Sequence, residues 1–129
     1  LLEKTEKKTE FSYPWINLKQ CAVEENVMLL PGSLFRKMAD EVYAKAEAEP
    51  NIVYQISGTR TGLACVAYNH GVMITLDHMI FNNVFAEQIL PLSIGEKPMY
   101  TDLDLVYMKD TVLTKEIETL KNIMTEAIQ

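Results

Sequence analysis

The chain is predicted to be an α/β fold, a mostly parallel central sheet flanked by helices, and three observations predict it. Two continuous apolar or β-prone runs, "NVMLL" and "IVYQI", are each followed within a few residues by a hydroxyl residue that opens a stretch of helical period. The second of those stretches closes at a glycine and leads into a third apolar run, "VMITL". Strand, helix, strand in close succession is the signature of crossovers between parallel strands.

In chain order, residues 1–10, "LLEKTEKKTE", are charged and unpatterned and are expected to be a tail or a severed connector. "FSYPWINLKQCAVEE" follows, where Leu18 and Cys21 are spaced for a short helical turn. "NVMLL", bounded by Pro31 and Gly32, reads as a strand covered on both faces. Ser33 stands at the N-cap of a helix whose Leu34, Phe35, Met38, Val42, Tyr43 and Ala46 repeat at helical spacing as far as Pro50. "IVYQI" repeats the strand signal, and the turn Ser57, Gly58, Thr59 is expected to cap a second helix with Leu63, Ala64, Val66 and Ala67 on its apolar face. Gly71 is expected at the left-handed position that ends this helix, and "VMITL", closed by Asp77, becomes a third buried strand. Beyond it, "HMIFNNVFAEQ" has room for a turn or short helix, "ILPLSI" for a short strand broken by Pro91, and "DLDLVYMKD" alternates as an edge strand. Thr114 caps a last helix with Ile117, Leu120, Ile123, Met124 and Ile128 on one face and Glu116 and Glu118 near its positive end.

Composition excludes several functions. At 129 residues the chain is the size of one compact domain. Eighteen acidic against twelve basic residues give a formal charge of −6 and no basic stripe, so direct contact with a nucleic-acid backbone is not expected. Cys21 and Cys65 sit among apolar residues without a CxxC spacing, as buried, reduced thiols of a cytoplasmic protein would. No apolar run approaches the roughly 18 residues of a membrane span.

Chemistry leaves few candidates. His70, His78 and Asp77 match no compact metal-ligand spacing, so neither a metal nor another cofactor is expected. Cys65 lacks a neighbouring base and Gly58 and Gly62 do not make a phosphate loop, so no catalytic constellation is read. What remains is a pair of helix N-termini, each opening directly after a strand. Ser33 after the first strand, and Ser57, Gly58 and Thr59 after the second, with Arg60 beside them, would face one crevice at the C-terminal ends of parallel strands. There, free N–H groups and the helix dipole favour a small anion.

At these residues the sequence resembles a family. "INLKQCAVEENVMLLPGSLFRKMADEVYAKAEAEPNIVYQISGTRTGLACVAYNHGVMITL", followed by "LPL" and "LDLVYMKD", is similar to the second half of the effector-binding domain of LysR-type transcriptional regulators. The resemblance covers residues about 11 to 129 and includes the early arginine of the first main helix, here Arg36. Two positions depart from the family's pattern: Asn69 stands where glycine is usual, and Asp77 where proline often follows the strand. The resemblance implies a three-layer, periplasmic-binding-protein-like (type 2) subdomain. Residues 11–100 would form the effector-binding subdomain, and 101–129 the return strand and C-terminal helix of the same domain. It also implies a small-molecule effector held at Ser33, Ser57, Gly58 and Thr59, a homodimer, and DNA bound through a separate amino-terminal domain that has no counterpart here. On this reading the chain is a sensing fragment of a regulator, without enzyme activity. Half of a solute-binding protein, or a small α/β enzyme using the same crevice, stays open as the alternative.

Overall fold

The computed structural model describes residues 1–128, the side chain of Ile128 lying outside the described residues. It divides into two compact units, Leu1–Met99 and Tyr100–Gln129.

The first unit is built around strand β1, Glu25–Leu29. Four of its five residues, Asn26, Val27, Met28 and Leu29, are buried, as expected of a strand covered on both faces. It pairs in parallel with β2, Asn51–Ile56, from Glu25 opposite Asn51 to Leu29 opposite Ile56. The register slips once, between Asn26 and Val27, so that Val53 is passed over. Three helices pack on β1. They are α1 (Leu18–Ala22), capped by the Asn17 side chain accepting from Lys19 N at 3.0 Å, α2 (Leu34–Lys45) and α3 (Thr59–Ala67). Ile16, Leu18, Cys21, Ala22, Met28, Ala39 and Tyr43 form the core between them. The sheet flanked by helices is the α/β architecture the sequence predicts.

A polar group inside this core was not legible in the apolar run. Asn26, 1% exposed, donates its amide to the carbonyls of Cys21 and Glu24 at 3.0 and 2.8 Å and accepts from the Tyr43 hydroxyl. It fastens the end of α1 and the last turns of α2 to the strand. Such a network is tolerated because its members are paired. Burial pushes the Tyr43 phenol well above its ordinary range, and the neighbouring Cys21 adds to the shift. Burial likewise pushes the Cys21 thiol up.

The third strand does not form. Val72 alone bridges β1, donating to Glu25 O at 2.8 Å and accepting from Val27 N at 2.9 Å. Met73–Leu76 carry no ladder; they sit half-buried and satisfy their apolar character by side-chain packing. Asp77 opens a helix instead of closing a strand: α4, Asp77–Phe81, begins with His78 N donating to the Asp77 carboxylate at 2.7 Å. "ILPLSI" is reduced in the same way to one parallel bridge between Ser93 and Trp15, in which Ser93 N donates to Pro14 O and Ile16 N donates to Ser93 O, both at 2.9 Å. The charged opening stretch has a 3-10 turn at Leu2–Lys4, a two-bond pairing of Glu6 with Trp15 at 2.7 Å each, and Lys8 Nζ 3.2 Å above the Trp15 ring.

The helix ends also differ from expectation. Helix α2 stops five residues before Pro50: Glu47 N bonds Ala44 O and Ala48 N bonds Tyr43 O, a Schellman pair with Glu47 left-handed at φ 50°. Helix α3 stops in the same way, Asn69 N to Val66 O and His70 N to Cys65 O at 2.9 and 2.8 Å. The left-handed residue there is therefore Asn69, at φ 61°, and not Gly71. Asparagine tolerates that conformation, which explains how it stands where the family uses glycine. Gly71 has its own constraint: at φ 134° it passes so close to β1 that a Cβ would strike the Glu25 carbonyl.

In the second unit, α5 (Lys115–Ile128) starts with Thr114 Oγ1 accepting from Ile117 N at 3.4 Å. The carboxyl of Glu116 is held below its usual range by its own backbone N–H and by Thr114. The segment "DLDLVYMKD" is irregular rather than a strand, since alternation alone does not hold a strand without a partner to pair with. Among the described residues, no helix is long and apolar enough to cross a membrane.

Candidate functional site

The parallel pairing decides where the two helix starts lie. Leu29 and Ile56, the last residues of β1 and β2, are partners, and Leu30 N extends the ladder to Ile56 O at 2.8 Å. The chain leaving β1 enters α2 through Ser33, and the chain leaving β2 enters α3 through Ser57, Gly58 and Thr59. All four residues named from the sequence therefore stand at one end of the sheet. It is the end at which open α/β sheets bind small molecules.

The two starts are not equivalent. Ser33 takes an extended backbone and its hydroxyl accepts from Arg36 N at 3.1 Å, as an N-cap does. Its hydroxyl proton remains available to donate outward. At α3 the cap falls within the expected turn Ser57, Gly58, Thr59, but no side-chain hydroxyl makes it. The N-cap position falls on Gly58, at φ −139° and ψ 141°, which has no side chain to offer. The consequence is chemical: the first-turn N–H groups of Thr59, Arg60 and Thr61 have no side-chain partner, and Ser57 is exposed beside them.

Arg36 is the residue at this rim whose part the sequence does not disclose. From the first turn of α2 it folds back to the sheet, donating from Nη1 to Leu29 O at 2.8 Å and to Gln55 Oε1 at 3.1 Å, and from Nε to Asp40 at 2.9 Å. One guanidinium thus ties the end of β1, the end of β2 and α2 together. Its charge is shared with Asp40, an ion pair in which Arg36 is 13% and Asp40 53% exposed. The only early signal was an arginine three residues after a cap.

The Cys21 thiol is buried and held protonated, and Cys65 is half-buried beside Ala64 and Val66. His70 is exposed and edge-on to Tyr54, their ring centroids 6.4 Å apart. Among the described residues, no group of three or more His, Cys, Asp or Glu is placed to hold a metal ion. What the rim can do is donate hydrogen bonds to a small acceptor.

Comparison with known proteins agrees with this architecture. The sequence matches the model of the LysR substrate binding domain over residues 13–129. A solved structure, the CcmR regulatory domain of Synechocystis PCC6803 in complex with 2-PG, superposes with a TM-score of 0.66 at 11% identity, covering 95% of this chain. The chain spans 59% of the length of that regulatory domain. No curated protein sequence matches it. At so low an identity the likeness speaks for the fold, the periplasmic-binding-protein-like type 2 fold of LysR regulatory domains. With a family match over all but the first twelve residues, the chain belongs to the LysR substrate-binding domain family.

Proposed function

We propose that this chain is the effector-sensing part of a LysR-type transcriptional regulator, taking a small anionic molecule at Ser33, Ser57, Gly58 and Thr59. The observation that carries the proposal is the paired ends of β1 and β2, which turn two separate helix starts into one rim of hydrogen-bond donors. Family membership supports a sensing rather than a catalytic role, and the neighbour's complex with 2-PG supports a small-molecule ligand. On this reading the Thr59–Thr61 N–H groups bind the anion, the Ser33 and Ser57 hydroxyls donate to it, and Arg36 holds the two sides of the rim in register.

The whole regulator, in this proposal, is a cytoplasmic homodimer that reaches DNA through a separate domain, since the chain's charge of −6 disfavours direct contact with phosphates. Helix α5 adds an apolar stripe, Ile117, Leu120, Ile123 and Met124, suited to burial in an assembly. One wall of a cleft encloses a ligand on one side only, so the chain alone should bind weakly, with a dissociation constant of order millimolar.

An NMR titration with acetate or sulfate tests this. The expected result is saturable, salt-sensitive shifts of the amides of residues 32–35 and 57–61. Shifts centred on His70 and His78, or micromolar affinity for the chain alone, would overturn it in favour of a self-contained site.

A further inference from the structure

Strand β2 has β1 on one side only, and among the described residues nothing pairs with its outer edge. Ile56 O is turned inward to Leu30 N, so its neighbour Gln55 turns its backbone N–H and C=O outward. Residues 51–55 are all exposed, and Ile52, Val53 and Tyr54 keep 37, 40 and 47% of their surface. Strand edges are ordinarily blunted by lysine, proline or an inward charge, because a row of free N–H and C=O groups is a template for another strand. Between Asn51 and Ile56 there is no charged residue, no proline and no glycine. The slip in register at Val53 lies in the pairing with β1, and Tyr54–Ile56 run regularly to the end of the strand.

Free backbone groups at strand spacing are satisfied by a further strand, and the charges flanking β2 say which one and in which direction. Glu47 and Glu49 stand just before it and Arg60 just after it, all three exposed and none of them in an ion pair among the described residues. A second copy laid parallel would set glutamate against glutamate and arginine against arginine. Laid antiparallel about a two-fold axis, it sets Glu49 of each copy near the partner's Arg60, the same contact twice, as a closed dimer requires. Opposed residues in an antiparallel pair share a face, so the axis passes beside a single residue. Tyr54, next to the middle of the strand, is the residue that meets both conditions.

We propose that β2 is a self-association edge: two copies of this chain pair antiparallel through Asn51–Ile56, with Tyr54 at the two-fold axis and Glu49 beside the partner's Arg60. Two two-stranded sheets then become one of four, in the order β1-β2-β2-β1. This gives the homodimer of the proposed function a surface, and it does not draw on the anion reading of the rim. One short strand pair buries less than the roughly 1,200 Å² of a stable complex, so the dimer of this chain is weak, with a dissociation constant on the order of 100 μM.

Sedimentation equilibrium of the full chain between about 10 and 1,000 μM, a range that brackets such an affinity, tests this alongside hydrogen exchange. The expected result is a monomer–dimer equilibrium in which the Gln55 amide gains protection as concentration rises. Tyr54→Lys places two lysines face to face at the axis and should weaken association at least about tenfold. Glu49→Lys and Arg60→Glu should each weaken it about fivefold, and the two together should restore it, because the complementary charges are then only exchanged. A chain that stays monomeric throughout, or a dimer that Tyr54→Lys leaves intact, overturns the proposal. So does a dimer abolished by Leu120→Glu on α5 but not by Tyr54→Lys. Should Tyr54→Lys not fold, the charge exchange decides: a double variant no stronger than the single ones overturns it. The acetate titration of the rim can be run on the monomeric Tyr54→Lys protein, so the two proposals fail separately.

Discussion

Helices α2 and α3 follow the same course, each leaving a strand, crossing the sheet and ending in a Schellman turn, yet they are secured at opposite ends. Helix α2 is fixed at its start by the Ser33 cap and the Arg36 clamp, and along its length by the Tyr43 hydroxyl on Asn26. Helix α3 has no side-chain cap at its start. It is fixed behind, where Asn69 turns the chain and Gly71 brings Val72 onto β1. A helix start with one donor met from within, as Ser33 meets Arg36 N, gains stability, while a start with no side-chain cap leaves all of its first-turn donors for a ligand. The difference separates what holds the rim together from what it offers.

The largest expected effect tests how α3 is anchored. Gly71→Ala must place a Cβ against the Glu25 carbonyl at a φ of 134°, so it should cost about 2–4 kcal/mol, backbone strain and overpacking together. Urea unfolding measures it. A loss below about 0.5 kcal/mol would mean that α3 is not held from its C-terminal side.

This glycine also shows how far sequence carries. The strand and helix order was legible because apolar runs and helical periodicity record burial directly. Ser33 was legible because a hydroxyl before a periodic stretch has few other uses. An apolar run cannot tell a hydrogen-bonded strand from a segment that only packs, and so "VMITL" was read as a strand where Val72 alone pairs. The role of Gly71 was misplaced because two candidates, Asn69 and Gly71, both adopt positive φ for different reasons. Asn26 was hidden because its burial depends on Tyr43, seventeen residues away in sequence. At the site the expected turn does hold the cap, but on the bare backbone of Gly58 rather than on a hydroxyl. Which residue of a turn takes the cap is beyond what pattern resolves, yet it decides whether a side chain meets a first-turn donor.

Next in size is the fastening of α2 through the core. Tyr43→Phe leaves the Asn26 oxygen without its donor and should cost about 1–3 kcal/mol, with Asn26→Leu costing no less because the Ala22 and Glu24 carbonyls then lose the amide that donates to them. The pH dependence has a fixed sign. Burial raises the folded-state pKa of Tyr43 above its unfolded value, and that of Cys21 likewise. Folded protein then binds more protons than unfolded, so this stability is fully present below the unfolded pKa values and is lost as pH rises through the alkaline range. The urea midpoint should fall between about pH 8 and 11, the interval in which free cysteine and tyrosine ionise, and less steeply in Tyr43→Phe. An unchanged slope would put the phenol outside the core.

Removing the cap of α2 is smaller again. Ser33→Ala should cost about 1 kcal/mol, the typical value for a hydroxyl N-cap. It should also weaken anion binding only modestly, because the open donors lie on α3. Loss of all binding in this variant would reverse the assignment of roles between the two helices.

Gly58→Ser has the least effect on stability and the most to say about the rim. A Cβ at Gly58 meets nothing within 4 Å, and its φ of −139° suits any residue, so the substitution adds no clash and no strain. The new hydroxyl would stand where Ser33 stands on α2, free to accept from a first-turn N–H of α3. Replacing a glycine cap by serine gains only a few tenths of a kcal/mol. The same hydrogen bond occupies a donor that an incoming anion needs, so acetate or sulfate should bind several-fold more weakly to a protein that is slightly more stable. That combination is hard to obtain from damage, which lowers stability and binding together. Unchanged affinity with a raised urea midpoint would show that the anion does not use the start of α3, and the rim would then have to bind through Ser33 and its neighbours alone.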